Sequence, residues 1–339
     1  MRSASRPILY VLSLFLGLTL HTALGQSSDG PEKYSSALNP NNDSARAEQT
    51  AVDRAIFRIT RPALVGAGTT LDTSKSIPQT AGAEGSTWFR QPNVYAHNLF
   101  TNTNDQRPFG LDSFQYRLQI GGDFLTYGDV VVGALYTYGL EDGEVDDLGA
   151  GITQDFDKTS HHLTLYAGRS FGDWFLAGAT LTLGWADIDQ STAGFQGGSD
   201  TFSYAPSGYV GVAHAWDQFG FSSVINYLYE DIYYDNGVTG TPGFNSSTGT
   251  LTWKTQGTWF AADWVDVSAF YKLTQIVHSN VSVFLPAGES NDYNWSTVGT
   301  KATFYPAQDW EAYAGIDYDI FNRNYGENVT GVIGAGYKF

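Results

Sequence analysis

Over much of the chain, apolar and polar residues alternate with a period of two. In 114–124, Phe114, Tyr116, Leu118 and Ile120 oppose Gln115, Arg117, Gln119 and Asp123. In 175–185, Phe175, Ala177, Ala179, Leu181, Leu183 and Trp185 share one face, and Gly178, Thr180, Thr182 and Gly184 share the other. The same alternation sets Val265, Val267, Ala269, Tyr271 and Leu273 against Asp266, Ser268, Lys272 and Thr274. It also sets Ala312, Ala314, Ile316, Tyr318 and Ile320 against Gly315, Asp317 and Asp319. Side chains point to opposite faces at successive strand positions, so this pattern predicts strands with one apolar face. The runs reach about ten residues, the length that a tilted bilayer-spanning strand needs. Alternation alone also suits a soluble sandwich, whose apolar face would lie inside.

Punctuation between the runs favours the membrane. Asp129, Asp173, Asp217, Asp263 and Asp309 sit in short turns at intervals of 44, 44, 46 and 46 residues, which is an internal repeat. Between them lie long polar, Gly-rich connections, at 101–112, 141–158, 187–201, 234–248, 278–292 and 322–328. Bacterial outer-membrane barrels alternate short periplasmic turns with long extracellular loops in this way. Trp174, Trp264 and Trp310 follow the short turns, where one aromatic girdle would lie. A propeller has a similar repeat length, but each of its blades needs four short strands, and each interval here reads as two long strands and a loop. The prediction is an all-β chain: a transmembrane antiparallel barrel of about 12 strands over 86–339.

Upstream, the pattern changes. Residues 1–25 combine Arg2 and Arg6, an apolar run from Ile8 to Leu20 and a small-residue exit at Ala23-Leu24-Gly25, the layout of a signal peptide. Residues 26–85 form an N-terminal extension with one helical segment over 44–61, where Val52, Ile56 and Ile59 recur at helical spacing and Pro62 predicts the end. That segment carries Arg46, Arg54, Arg58 and Arg61 against Glu48 and Asp53. The chain as a whole has a net charge of −17, and loss of Arg2 and Arg6 takes it to −19. So acidic a protein excludes a nucleic-acid partner. With no cysteine at all, disulfides and thiolate chemistry are excluded too. The 21 Tyr, 21 Phe, 9 Trp and 38 Gly fit a membrane barrel.

Two groups of residues carry a resemblance. Gln119-Ile120-Gly121-Gly122-Asp123-Phe124 followed by Val131-Val132-Gly133-Ala134-Leu135-Tyr136, then Leu165-Tyr166-Ala167 before Phe171-Gly172-Asp173-Trp174, resembles successive strands of the autotransporter translocator. The C-terminus, with Gly334, Tyr337 and Phe339, resembles the signal read by the barrel-assembly machinery, although Val332 stands where that signal begins with a polar residue. The resemblance implies partners in outer-membrane lipid, the assembly machinery and the chain's own N-terminal segment, with a helix housed in the lumen. Inward Asp266, Glu311, Asp317 and Asp319 would then attract Arg46, Arg54 and Arg58. The extension is too short for an ordinary passenger domain. The alternative is a small porin-like channel or structural outer-membrane protein without a passenger.

A lumenal enzyme is a third reading, and the chemistry for it is sparse. There is no Gly-x-Ser-x-Gly elbow, His-Glu-x-x-His motif or P-loop, so no catalytic, cofactor-binding or metal residue is assigned. His161 and His162 are strand neighbours and point apart, with His162 toward the lumen. The acidic run from Glu141 to Asp157 matches no calcium loop and reads as a solvated extracellular segment.

If the C-terminal residue is an assembly signal, deleting Phe339 lowers the yield of heat-modifiable, membrane-inserted protein. Normal insertion of the shortened chain, followed by gel mobility with and without heating, would refute the signal reading.

Overall fold

The computed structural model describes residues 43–65, 89–105, 109–126, 130–147, 152–172, 174–192, 195–216, 218–236, 242–279, 294–307, 309–321 and 326–339. Among these residues one helix, α1 (Asp43–Val65), precedes twelve strands: β1 (Phe89–Asp105), β2 (Phe109–Thr126), β3 (Val130–Asp147), β4 (Ile152–Phe171), β5 (Phe175–Thr192) and β6 (Phe195–Trp216), then β7 (Phe219–Asn236), β8 (Pro242–Ala262), β9 (Val265–Ser279), β10 (Asn294–Ala307), β11 (Trp310–Phe321) and β12 (Gly326–Lys338). Each strand pairs antiparallel with its sequence neighbours, and β1 pairs with β12 to close the barrel. The closing ladder runs unbroken from the Asn93–Lys338 pair to the Asp105–Gly326 pair.

The faces follow the alternation in the sequence. Ile120, Val267, Ile316 and Ile333 are exposed on the outside, whereas Arg117, Gln119, Thr182 and Ser268 are buried inside. An exposed apolar belt on a closed barrel with a polar interior is the inside-out arrangement of a membrane-spanning protein. Exposed aromatic residues border the belt. Phe175, Trp216, Phe219, Trp264 and Trp310 lie beside the short turns, and Phe114, Trp185 and Phe202 lie farther along. Phe175 to Trp185 is ten strand positions, about 33 Å along the strand and about 25 Å along the axis at a tilt near 40°. That height equals the apolar band of such barrels.

The strands are longer than the sequence suggested, from 12 residues in β11 to 22 in β6. Most of the polar stretches expected as loops are strand: β3 runs on to Asp147, and β4 begins at Ile152. Backbone bonding continues above the hydrocarbon whatever the side chains are, and polar side chains in water leave no apolar row to mark it. The acidic segment continues the β3–β4 ladder, with Asp142 opposite Asp157 and Glu144 opposite Asp155, and is flanked by β2 and β5. Of the repeating turn aspartates, Asp263 and Asp309 sit in turns, while Asp129, Asp173 and Asp217 lie outside the described residues, as does the signal-peptide segment. Gly172, at φ 65°, supplies a left-handed residue where β4 turns into β5.

The helix also outruns its expected end. It continues three residues past Pro62 to Val65. A proline forfeits a backbone bond and costs about 3 kcal/mol in an isolated helix, which is offset by the wall contacts of the preceding turns.

The exposed belt generates a contrast between faces. Arg at Ile333 should hinder insertion by about 2–4 kcal/mol, while Gln256→Arg, which faces open space inside the barrel, should change it little. Thr182 and Ser268 make poor controls, because both are packed inside. Equal effects at Ile333 and Gln256 in an equilibrium insertion assay would reverse the assignment of faces.

Candidate functional site: the helix in the lumen

Residues of α1 reach strands on every side. Asp43 pairs with Arg117 of β2 at 2.5 Å and with Lys158 of β4 at 2.8 Å. Ser207 of β6 donates to Glu48 at 2.9 Å, Asp53 meets Lys254 of β8 at 2.7 Å, and Arg54 meets Glu311 of β11 at 2.5 Å. Arg46 lies 3.7 Å from Asp317 and 3.5 Å from Asp319, and donates to Thr330 of β12 at 3.1 Å. Only a helix inside the barrel can touch all of these walls.

The apolar contact is one-sided. Ala47, Ala51 and Ala55, spaced four apart, are fully buried, and with Val52 they pack toward Leu135, Val131, Tyr166, Tyr209 and Tyr95. Small residues let the helix axis come close to the wall, and the wall is flattened to receive it. Tyr95, Tyr166, Tyr209 and Tyr313 each lie directly across from a glycine on the adjacent strand, respectively Gly121, Gly133, Gly178 and Gly334. A Cβ on any of these glycines would stand 2.2–2.5 Å from the ring. Phe270 covers Gly299 in the same way. The ring therefore lies along the inner wall over the neighbouring glycine, an aromatic–glycine pairing known to pin register. Tyr95 and Tyr166 join through their hydroxyls at 2.9 Å, and Tyr166 donates to Asp123 at 3.2 Å.

The sequence-predicted charges divide accordingly. Arg46, Arg54, Asp317, Asp319 and Glu311 come together across the lumen, while Arg58 meets Asp123 at 2.7 Å. Asp266 accepts from Tyr305 at 2.6 Å. Two contributors were not anticipated, Asp43 and Lys158, while the inward Arg117 and Lys254 meet Asp43 and Asp53 of the helix. Attraction between the helix and the wall is thus not a positive helix in a negative pore. Both partners carry both signs, matched position by position. Of the histidines, His162 is buried in the lumen, His161 is outside with Tyr136 at 2.7 Å, and His97 is buried against Tyr313.

At the C-terminus, Phe339 donates its backbone N–H to Pro92 at 3.0 Å and leaves its ring exposed. Tyr337 sits between the rings of Phe339 and Trp310, at 4.8 and 5.0 Å. Gly334 makes room for the Tyr313 ring.

The helix has a direction. Asp43 sits at the level of Ser160, which donates to it at 2.8 Å and lies one residue before the neighbour of Trp185 in the long-hairpin girdle. Arg58 sits at Asp123, three positions from the end of β2 at a short turn. The N-terminal end of α1 therefore faces the long hairpins, and its C-terminal end faces the rim where β1 starts.

Solved structures share this architecture. The translocator domain of autotransporter NalP from Neisseria meningitidis superposes with a TM-score of 0.59 at 13% identity, covering 88% of this chain and 98% of that one. The fold is that of autotransporter translocator domains. The transport unit of AIDA-I from Escherichia coli gives 0.57 at 12% identity, over 86% of this chain and 98% of that one. The beta domain of the Bordetella autotransporter BrkA gives 0.55 at 14%, over 74% and 100%. No family profile matches the sequence, and no curated protein matches it.

Removing one member of a buried pair leaves the other charge uncompensated, at about 3–5 kcal/mol. Arg54→Met should accordingly lower the thermal midpoint of barrel unfolding, and adding Glu311→Met should recover much of the loss. A double variant as unstable as the single one would mean that the pair does not hold the helix.

Proposed function

We propose that the protein is an outer-membrane translocator barrel that delivers its own short N-terminal segment to the cell exterior and is then closed by α1. The polarity of the helix carries this reading. With short turns on the periplasmic side, the N-terminal end of α1 points toward the long hairpins, outside the cell, and its C-terminal end points toward the periplasmic rim, where β1 begins. The likeness to translocator domains supports it, as do the bonds between the lumen and α1 from Asp43 to Arg58. A barrel of twelve strands is wider than one filled by its own side chains, and a helix about 10 Å across fills most of the difference. Catalysis has no part in this role: the buried carboxylates near the helix are engaged in holding it.

An epitope inserted within 26–42 should be reached by antibody on intact cells, and protease added outside should cut there. In planar bilayers the full chain should conduct little, whereas a chain beginning near Ala83 should give larger, steadier steps. An epitope protected in intact cells and reached only after the outer membrane is opened would favour the porin-like or structural alternative. Equal conductance of the two chains would remove the plug.

A further inference from the structure

On the lipid side of the barrel, polar side chains close on one another. Trp253 donates to Ser223 at 2.8 Å, Ser223 lies 3.2 Å from Thr255, and Tyr271 lies 2.8 Å from Ser296. Asn98 is different. Its strand neighbours Val94 and Phe100 are exposed on the same side, and His97 and Leu99 are buried on the other. Opposite it stand Leu118 of β2 and Ile333 of β12. Ile333 lies midway between Val329 and Tyr337 along the outward row of β12, and Leu118 lies midway between Phe114 and Gly122 along that of β2. Asn98 therefore sits at the middle of the apolar belt.

Only half of this side chain is satisfied. Tyr116 donates to its Oδ1 at 2.7 Å, and among the described residues its amide N–H groups have no acceptor. Lipid tails offer none at this depth, and an N–H group left unpaired in hydrocarbon is strongly unfavourable. The wall beside it is flat. Ala96, Ala335 and Ala312 form one row across β1, β12 and β11, and Ala314 stands next to Ile333. At Gly331, opposite Phe100, an added Cβ would meet nothing within 4 Å. Small residues let two walls in a membrane approach until a polar side chain reaches across.

We infer that this face binds a second copy of the chain about a two-fold axis along the membrane normal, with Asn98 against Asn98 of the partner subunit. A carboxamide carries both a donor and an acceptor. A two-fold rotation therefore sets each N–H against the other copy's carbonyl oxygen, whose second lone pair stays with Tyr116. Both copies insert with the same orientation, which puts the axis along the normal. A different protein would have to bring a matching polar group to this depth; a second copy brings it by symmetry. The contact is independent of whether the barrel exports its N-terminus.

Sedimentation equilibrium of the purified full-length protein in density-matched micelles reads the contact directly. A reversible monomer–dimer equilibrium is expected, with a dissociation constant raised about tenfold in Asn98→Leu, as loss of two hydrogen bonds across a membrane interface implies. Leucine suits lipid, so Asn98→Leu should stay heat-modifiable. In isolated outer membranes a short bismaleimide should join two copies through Ala96→Cys, in a chain that otherwise has no cysteine. Val210→Cys, exposed on β6 across the ring from β12, should give no such product. A protein that stays monomeric in micelles overturns the proposal, as does a heat-modifiable Asn98→Leu that dimerises as tightly as the parent. Equal cross-linking from Ala96→Cys and Val210→Cys, or a cross-linked product that contains a different protein, also overturns it.

Discussion

Hydrocarbon offers no partner to a backbone amide, so a chain that crosses it in strands must close its sheet completely. Everything else in this structure is arranged around that closure. The β1–β12 ladder supplies it, and Phe339 adds one more backbone bond at the rim beside the Tyr337 and Trp310 rings. Closure with twelve strands then creates a second demand, because an interior of that width cannot be filled from the walls alone. The helix, the inward tyrosines and the polar network between them are the answer to it.

The interior is built in two halves with different physics. Along β3 to β6 the contact is close and largely apolar, with alanines against flat tyrosine rings and polar contacts at the helix ends and at Glu48. On the opposite side the helix is held at arm's length by charged pairs of both signs. The first half fixes how near the helix sits; the second fixes its depth and rotation, because each pair is satisfied at only one setting. Buried ion pairs add little net stability over apolar packing, and specifying a register is their best-attested use. Here they specify the register of a helix within a ring.

The faces of the strands were legible in the sequence because a period of two is a property of the strand itself. Ile316 lies outside and Asp319 inside for that reason alone. The strand ends were not legible: above the membrane both faces are wet, and Asp142 or Asp157 carries no mark of the ladder it joins. The arginines of α1 stood out as bases in an acidic chain, but their partners depend on how deep and at what angle the helix sits. Asp43 was missed because the expected helix began one residue later, and that residue meets both Arg117 and Lys158. The tyrosine–glycine pairs were not legible either: Tyr166 with Gly133 and Tyr209 with Gly178 pair across hairpins that close on the long side, where no short turn sets the register.

The direction of α1 has a mechanical meaning. A pull on the chain upstream of Asp43, applied from the long-hairpin side, acts along the barrel axis. It loads the pairs at Asp43, Arg46, Asp53, Arg54 and Arg58 together, in shear, rather than one after another as in a peeled strand. The β ladders run oblique to that force, and the lipid belt does not resist it. Tethering strength is thus set inside the ring by a handful of charged side chains, separately from whatever keeps the ring in the bilayer.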